Sequence, residues 1–306
     1  MTSTNAAPTG RRQRELLRYT AFDVNGAGGN PAGVVLDAGA LDDEQMQATA
    51  AAVGYSETAF VIPGDTPSGR RLRIRYFSPL AEVPFCGHAT IATAVAIAER
   101  SGPGGLVFDT AAGEVAVETR AGDGRILATL TSVAPSIRTV DEDDLTGALA
   151  ALRWRRAELD PALPPRVANA GADHLVLAAA SRERLADLDY DRDALGALMA
   201  RLGWTTVHLV WRESDDVFHA RDPFPPGGVV EDAATGAAAA AFGAYLRELE
   251  LVGPPARVII RQGEDMGRPS RLLVDILPGG TTGIRVSGTA APLPEPSDAG
   301  AGPVTP

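Results

Sequence analysis

Three short segments of the chain gather the residue types that move protons. They are Ser56-Glu57-Thr58, Phe85-Cys86-Gly87-His88-Ala89-Thr90 and Glu231-Asp232-Ala233-Ala234-Thr235-Gly236. The second and third each lead into a run of small apolar residues of helical length, Ile91 to Ala98 and Ala237 to Leu246. The first turn of a helix leaves backbone N–H groups unpaired and carries about half a positive charge, so it holds anions well. Two such helix starts, each with a polar or acidic group at its mouth, predict a cleft that grips a carboxylate. Glu57 is the candidate base for an activated C–H bond, on condition that burial raises its proton affinity. His88 and Asp232 can donate or relay protons to the polar groups of the same molecule. The N–H groups near Ala89–Thr90 and Gly236–Ala237 would hold its carboxylate or a developing enolate-like charge, at roughly 3 kcal/mol per donor in the transition state.

Every one of these residues has a plainer alternative. Glu57 could be a surface charge at a strand start, and His88 a helix cap. Asp232 is an expected N-cap with Thr235 nearby. Asn30 before Pro31 is ordinary turn chemistry. Arg268 reads as a hairpin surface residue, His174, His208 and His219 as structural, and Cys86 as a packing residue. The catalytic reading rests on their joint occurrence.

Composition removes several other chemistries. All 28 basic residues are arginine. Without lysine there is no pyridoxal phosphate Schiff base and no Walker A loop. The soft metal ligands are one Cys and four His, at 86, 88, 174, 208 and 219, with no His-Glu-x-x-His. Neither a metal nor a cofactor is therefore expected. The glycine-rich stretch Gly26-Ala27-Gly28-Gly29-Asn30-Pro31 fails the dinucleotide pattern, because Pro31 stands where the third glycine belongs. A net charge of -11 offers no basic patch for nucleic acid or an anionic membrane. No apolar run reaches the roughly 18 residues of a membrane span. One cysteine forbids an intrachain disulfide, and no secretory signal stands out, so a cytoplasmic location is expected.

The elements that must position these groups follow from hydrophobic periodicity. Strands are predicted at Leu17 to Val24, Gly33 to Leu36, Thr58 to Ile62, Leu72 to Phe77, Leu106 to Phe108, Glu114 to Thr119 and Arg125 to Leu130. Helices are predicted over 41–53 and about 89–99. A second round follows, with helices at 141–152, 193–202 and about 233–249. Its strands are His174 to Ala178, Val207 to Trp211, Val217 to Ala220, Arg257 to Arg261, Leu272 to Ile276 and Gly283 to Val286. The two alanine-rich helices have almost no polar face and must be buried on all sides. A disordered tail is expected at 1–14, an N-terminal half-domain at 15–132 and a C-terminal half-domain at 133–280. A closing strand at 281–291, returning to the N-terminal half, and a second disordered tail at 292–306 complete the division.

Five segments also resemble a known family. They are Gly29-Asn30-Pro31-Ala32-Gly33-Val34, Tyr55-Ser56-Glu57-Thr58-Ala59-Phe60, Cys86-Gly87-His88-Ala89-Thr90, Gly228-Val229-Val230-Glu231-Asp232-Ala233-Ala234-Thr235-Gly236 and Gln262-Gly263-Glu264-Asp265-Met266-Gly267-Arg268-Pro269-Ser270. In this order, across roughly residues 17 to 290, they resemble the phenazine-biosynthesis isomerase (PhzF-like) family. That resemblance implies an α+β fold of the diaminopimelate epimerase-like kind. It has two similar domains, each a curled, mostly antiparallel sheet around a central helix, with the active site in the cleft between them. It assigns acid–base catalysis to Glu57, assisted by His88 and Asp232. The expected substrate-binding positions are Asn30, Ser56, Gly87, Ala89, Thr235, Gly236 and Ala237. The family often has serine where this chain has Ala237, which puts the phenazine-pathway substrate in doubt. The related amino-acid epimerases use two opposed thiols, and one cysteine rules that mechanism out. The expected activity is a cofactor-independent 1,3-type proton shift within a small conjugated or cyclic carboxylic acid. Dihydro-hydroxyanthranilate and pyrroline carboxylates are examples, from secondary metabolism. An epimerase or lyase on the same scaffold and a non-catalytic acid-binding protein remain alternatives. Dimers are common in the family, so a homodimer is open.

Overall fold

The computed structural model describes residues 15–64 and 70–295. Its N-terminal half runs β1 (Leu16–Ala21), β2 (Asn30–Val35), α1 (Asp43–Val53), β3 (Glu57–Pro63), β4 (Arg71–Phe77), β5 (Glu82–Val83), α2 (Gly87–Ser101), β6 (Gly104–Thr110), β7 (Gly113–Gly122) and β8 (Arg125–Thr131). The C-terminal half continues with β9 (Ser136–Thr139), α3 (Glu142–Leu152), β10 (Arg166–Asn169), β11 (Asp173–Ala178), α4 (Arg182–Ala186) and α5 (Arg192–Leu202). Then come β12 (Trp204–Arg212), β13 (Val217–Pro223), β14 (Glu231–Asp232), α6 (Gly236–Glu248), β15 (Ala256–Gln262), β16 (Ser270–Ile276) and β17 (Arg285–Pro292).

The two halves repeat one wiring plan, although the sequence carries no strict repeat. In the first, β2 and β3 are parallel across α1, and β4 and β6 are parallel across α2. In the second, β11 and β12 are parallel across α4 and α5, and β13 and β15 are parallel across α6. The remaining strand pairs are antiparallel hairpins and returns. In each half a two-residue strand, β5 or β14, stands just before the central helix. β17 joins the halves, because it pairs with β8 on one edge and with β16 and then β1 along the other.

Burial explains the layering. α2 is covered by β1, β2, β3, β7, β8 and β17, and α6 by β9, β10, β11, β16 and β17. His88 to Ala96 of α2 and Ala238 to Leu246 of α6 are buried without interruption. Alanine lets the strands come close: a Cβ on Gly243 of α6 would meet Val274 Cγ1 at 2.7 Å and Ile284 Cγ2 at 2.9 Å. The outer faces of the sheets are covered separately. Met46 and Ala50 of α1 pack on Val35, Phe60 and Phe77. Leu145, Leu149, Leu195 and Met199 of α3 and α5 pack on Leu175, Leu177, Val207 and Leu209. Strand alternation sends one set of side chains to the central helix and the other to the outer helices.

Several sequence expectations need correction. The strand expected to Val24 stops at Ala21, because Phe22 takes φ 60° and turns the chain. β9 and β10 were not expected: each has four residues with exposed or half-buried polar positions, too short to show a period. Most of the expected tails falls on 1–14 and 296–306, outside the described residues. The described start of the C-terminal one is tied down: β17 runs to Pro292, and the Leu293 N–H donates to the Arg18 carbonyl at 2.7 Å. No helix among the described residues is long and apolar enough to cross a membrane.

Candidate active site

The starts of α2 and α6 face each other. A Cβ on Gly87 would lie 3.9 Å from both Ala237 N and Gly236 Cα. Two helix N-termini this close make one anion-holding mouth, each contributing unpaired N–H groups. Below it lies a floor of buried polar side chains, Asn30, His88 and Asp232. Ser56, Glu57, Gly87, Thr235 and Ala237 are half-buried and border the mouth.

Asn30, the first residue of β2, ties the floor together. Its side-chain amide donates to Asp232 Oδ1 at 2.7 Å. The same nitrogen lies 3.2 Å from His88 Nδ1 and 3.2 Å from the Ala234 carbonyl. With Nδ1 accepting, the His88 ring proton sits on Nε2. That atom lies 3.5 Å from Glu57 Oε2 and 3.4 Å from Ser56 Oγ. Glu57, the first residue of β3, keeps 12 % of its side chain open to solvent. It is therefore the acidic side chain next to His88 that a substrate can reach.

Asp232 is held from its other side. The Thr235 hydroxyl donates to Oδ2 at 2.6 Å. Gln262 clamps the whole turn: its amide donates to the Asp232 carbonyl at 2.9 Å, and its oxygen accepts the Thr235 N–H at 3.0 Å. Burial pushes the Asp232 carboxyl up to about 6, with the charges of Glu57 and Asp222 acting in the same direction and His88 and Thr235 against it. Asp232 is not the N-cap of α6; that position is Thr235, whose side chain turns back to Asp232 instead. Likewise His88 lies inside α2 rather than capping it.

Cys86 precedes α2 with its sulfur 3.3 Å from His88 Nδ1. Burial pushes its thiol well up, and the Glu57 and Asp232 charges add to that. The ligand atoms of Glu57, Cys86 and His88 lie within 4.8 Å of one another, a spacing a metal ion would accept. A soft metal needs the thiolate, though, and this surrounding favours the neutral thiol, so the three form a proton-bearing cluster.

Two expected substrate contacts sit deeper than anticipated. The Ala89 side chain is fully buried, and Asn30 spends its amide on the floor. Arg268 is also not a surface residue. It is half-buried and donates from Nε to the Gly29 carbonyl at 3.0 Å, bracing the loop that ends in Asn30. Gln262 and the buried Arg221–Glu231 pair, with bonds of 3.0 and 2.5 Å, are positioning groups that sequence reasoning did not single out. Glu231 stands beside Asp232 in the motif, and that adjacency was the available signal.

The family described as phenazine biosynthesis-like protein matches residues 19–295. The chain belongs to that family. A Mesorhizobium japonicum protein named uncharacterized isomerase mll1393 is 32 % identical over 86 % of this chain and 90 % of its own length. The trans-2,3-dihydro-3-hydroxyanthranilate isomerase of Pseudomonas aeruginosa is 29 % identical, covering 91 % of this chain and 98 % of its own. The solved structure of a predicted epimerase, PA4716 of P. aeruginosa, superposes with a TM-score of 0.81 at 30 % identity, covering 92 % of this chain and 98 % of the other. The α+β, diaminopimelate epimerase-like architecture expected from the motifs is thus the architecture of this phenazine biosynthesis-like chain. Isomerase is the activity named for its relatives.

Proposed function

We propose that this isomerase of the PhzF type moves a proton from one carbon to another within a small conjugated or cyclic carboxylic acid. Glu57 removes the proton and, as the resulting carboxylic acid, returns it at the second carbon. The substrate gains and loses one proton, so no redox partner or cofactor enters the balance. The substrate carboxylate docks at the facing N-termini of α2 and α6, where unpaired N–H groups also stabilise the charge that develops as the C–H bond breaks. His88 orients Glu57 through its Nε2–H. Asp232, with its raised proton affinity, carries a proton below about pH 6 and can then donate a hydrogen bond to a polar group of the substrate.

The observation that carries this reading is the meeting of four separate segments in one proton network under one anion-holding mouth. Asn30 and Asp232 are 202 residues apart in the chain and 2.7 Å apart in space. The named activity of the P. aeruginosa relative supports dihydro-hydroxyanthranilate as one candidate substrate. Ala237 removes a hydroxyl from the mouth and favours a different member of the same chemical class.

The test is deuterium incorporation in D₂O with a panel of conjugated cyclic acids, including dihydro-hydroxyanthranilate and dihydropyrrole carboxylates. Label at a new carbon, reduced about 10²–10⁴-fold in Glu57→Gln, is the expected result. Label at the original stereocentre would instead make the protein an epimerase. Full activity in Glu57→Gln would remove the proposed base.

A further inference from the structure

Behind Asp232 lies a second set of buried titratable groups that the proton shift does not use. His174 of β11, Thr206 and His208 of β12 and Asp222 of β13 share the face of the C-terminal sheet that packs on α6. Their neighbours on that face are Val176, Val210 and Ala220. His174, His208 and Asp222 are 0 % exposed and Thr206 is 1 % exposed. Polar groups this deep in an apolar layer are costly unless they satisfy each other.

They do so in a defined direction. Thr206 donates its one hydroxyl proton to Asp222 Oδ1 at 2.9 Å and takes the His174 Nδ1–H at 2.8 Å. His208 Nδ1 lies 3.1 and 3.0 Å from the two oxygens of Asp222, so Nδ1 carries a proton. The Nε2 atoms of both histidines have no hydrogen-bond partner among the described residues. A second proton on His208 would create a buried, unpaired N–H, which costs more than a bare lone pair. Asp222 thus has two donors on it, the Thr206 hydroxyl and His208 Nδ1. Asp222 is also the direct cross-strand partner of Asp232 between β13 and β14, which puts both carboxyl groups on one face of the ribbon.

We propose that Asp222 is a positioning residue for Asp232: a sealed carboxylate, bonded by Thr206 and His208 and facing Asp232 across the β13–β14 ribbon, whose repulsion adds to burial in favouring the protonated Asp232 carboxyl. The proposal rests on the reading of Asp232 as the proton donor of the site. Asp232 is faced by Asn30 from β2, Glu57 from β3, Cys86 and His88 from the start of α2, Asp222 from β13, Thr235 from its own turn and Gln262 from β15. Among these, Glu57 and Asp222 are the repelling charges and His88 the attracting one. Glu57 loses its charge whenever it takes the substrate proton. Asp222 touches neither solvent nor substrate, so its charge persists through turnover.

The experiment is a carboxyl carbon-13 NMR titration of the full chain, with Asp232 assigned by Asp232→Asn. Wild type is compared with Asp222→Asn and His208→Gln. The Asp232 signal should change near pH 6 in wild type. In Asp222→Asn it should move down by about one pH unit. It should stay in place in His208→Gln, whose amide remains a neutral donor. An unmoved Asp232 midpoint in folded Asp222→Asn overturns the proposal. So does an upward shift in His208→Gln, because His208 would then be a cation. Should Asp222→Asn not fold, the wild-type spectrum decides. Asp222 must be a carboxylate at the pH where Asp232 changes, and a protonated Asp222 there refutes the idea. No substrate enters the measurement, so its failure is separate from failure of the isomerase reading, which deuterium transfer reports.

Discussion

Asp232 is the residue on which chemistry and stability trade off. Its proton affinity is higher in the folded chain than in the unfolded one, raised from the ordinary aspartate range to about 6 chiefly by burial. The folded state thus binds this proton more tightly, and the stability that results is fully present below about pH 4 and lost as pH rises through about 6. The size of the effect is about 3 kcal/mol. Asp232→Asn cannot titrate there, so its denaturation midpoint should gain on wild type between pH 4 and 7. A constant gap over that window would contradict the raised affinity. Cys86 gives a second residue-level test. A buried thiol held neutral should react with iodoacetamide far more slowly than a free cysteine at pH 7 to 8. Rapid labelling of the native protein would mean an exposed thiolate instead.

At the scale of the element, the central helices decide the architecture. Their alanines serve close packing more than helix propensity, because both helices are wrapped on most sides by strands. Gly243 marks the tightest approach, with Val274 and Ile284 where a methyl would stand. Gly243→Ala improves propensity by roughly 1 kcal/mol, yet overpacking costs about 1–3 kcal/mol. Urea denaturation should therefore show net destabilisation. A stabilised variant would mean that the strands yield easily and that propensity governs α6.

At the scale of the molecule, the two halves are joined by β17, by the contact of Arg268 with Gly29 and by Asn30 reaching Asp232. Asn30→Ala would leave the buried Asp232 carboxyl and His88 Nδ1 short of a donor, at about 1–3 kcal/mol. It should lower turnover in the deuterium assay while circular dichroism stays native; unchanged turnover would show that the bridge does not hold the site. Residue types and their spacing marked out the parts: two all-apolar helices with polar mouths, a Ser-Glu-Thr strand start, a lone cysteine and no lysine. Those are local facts of residue type and period, and they excluded whole chemistries. Which of these parts meet depends on the fold. Asn30 was legible as a turn residue and Gln262 as part of a motif, but their partners are set by long-range strand pairing. Arg268 looked like surface because a hairpin tip carries no record of the N-terminal half that covers it. His174, His208 and Asp222 come from three strands, and each alone resembles a structural residue. Burial and proton affinity depend on everything packed around a group, and a linear chain states that only after it has folded.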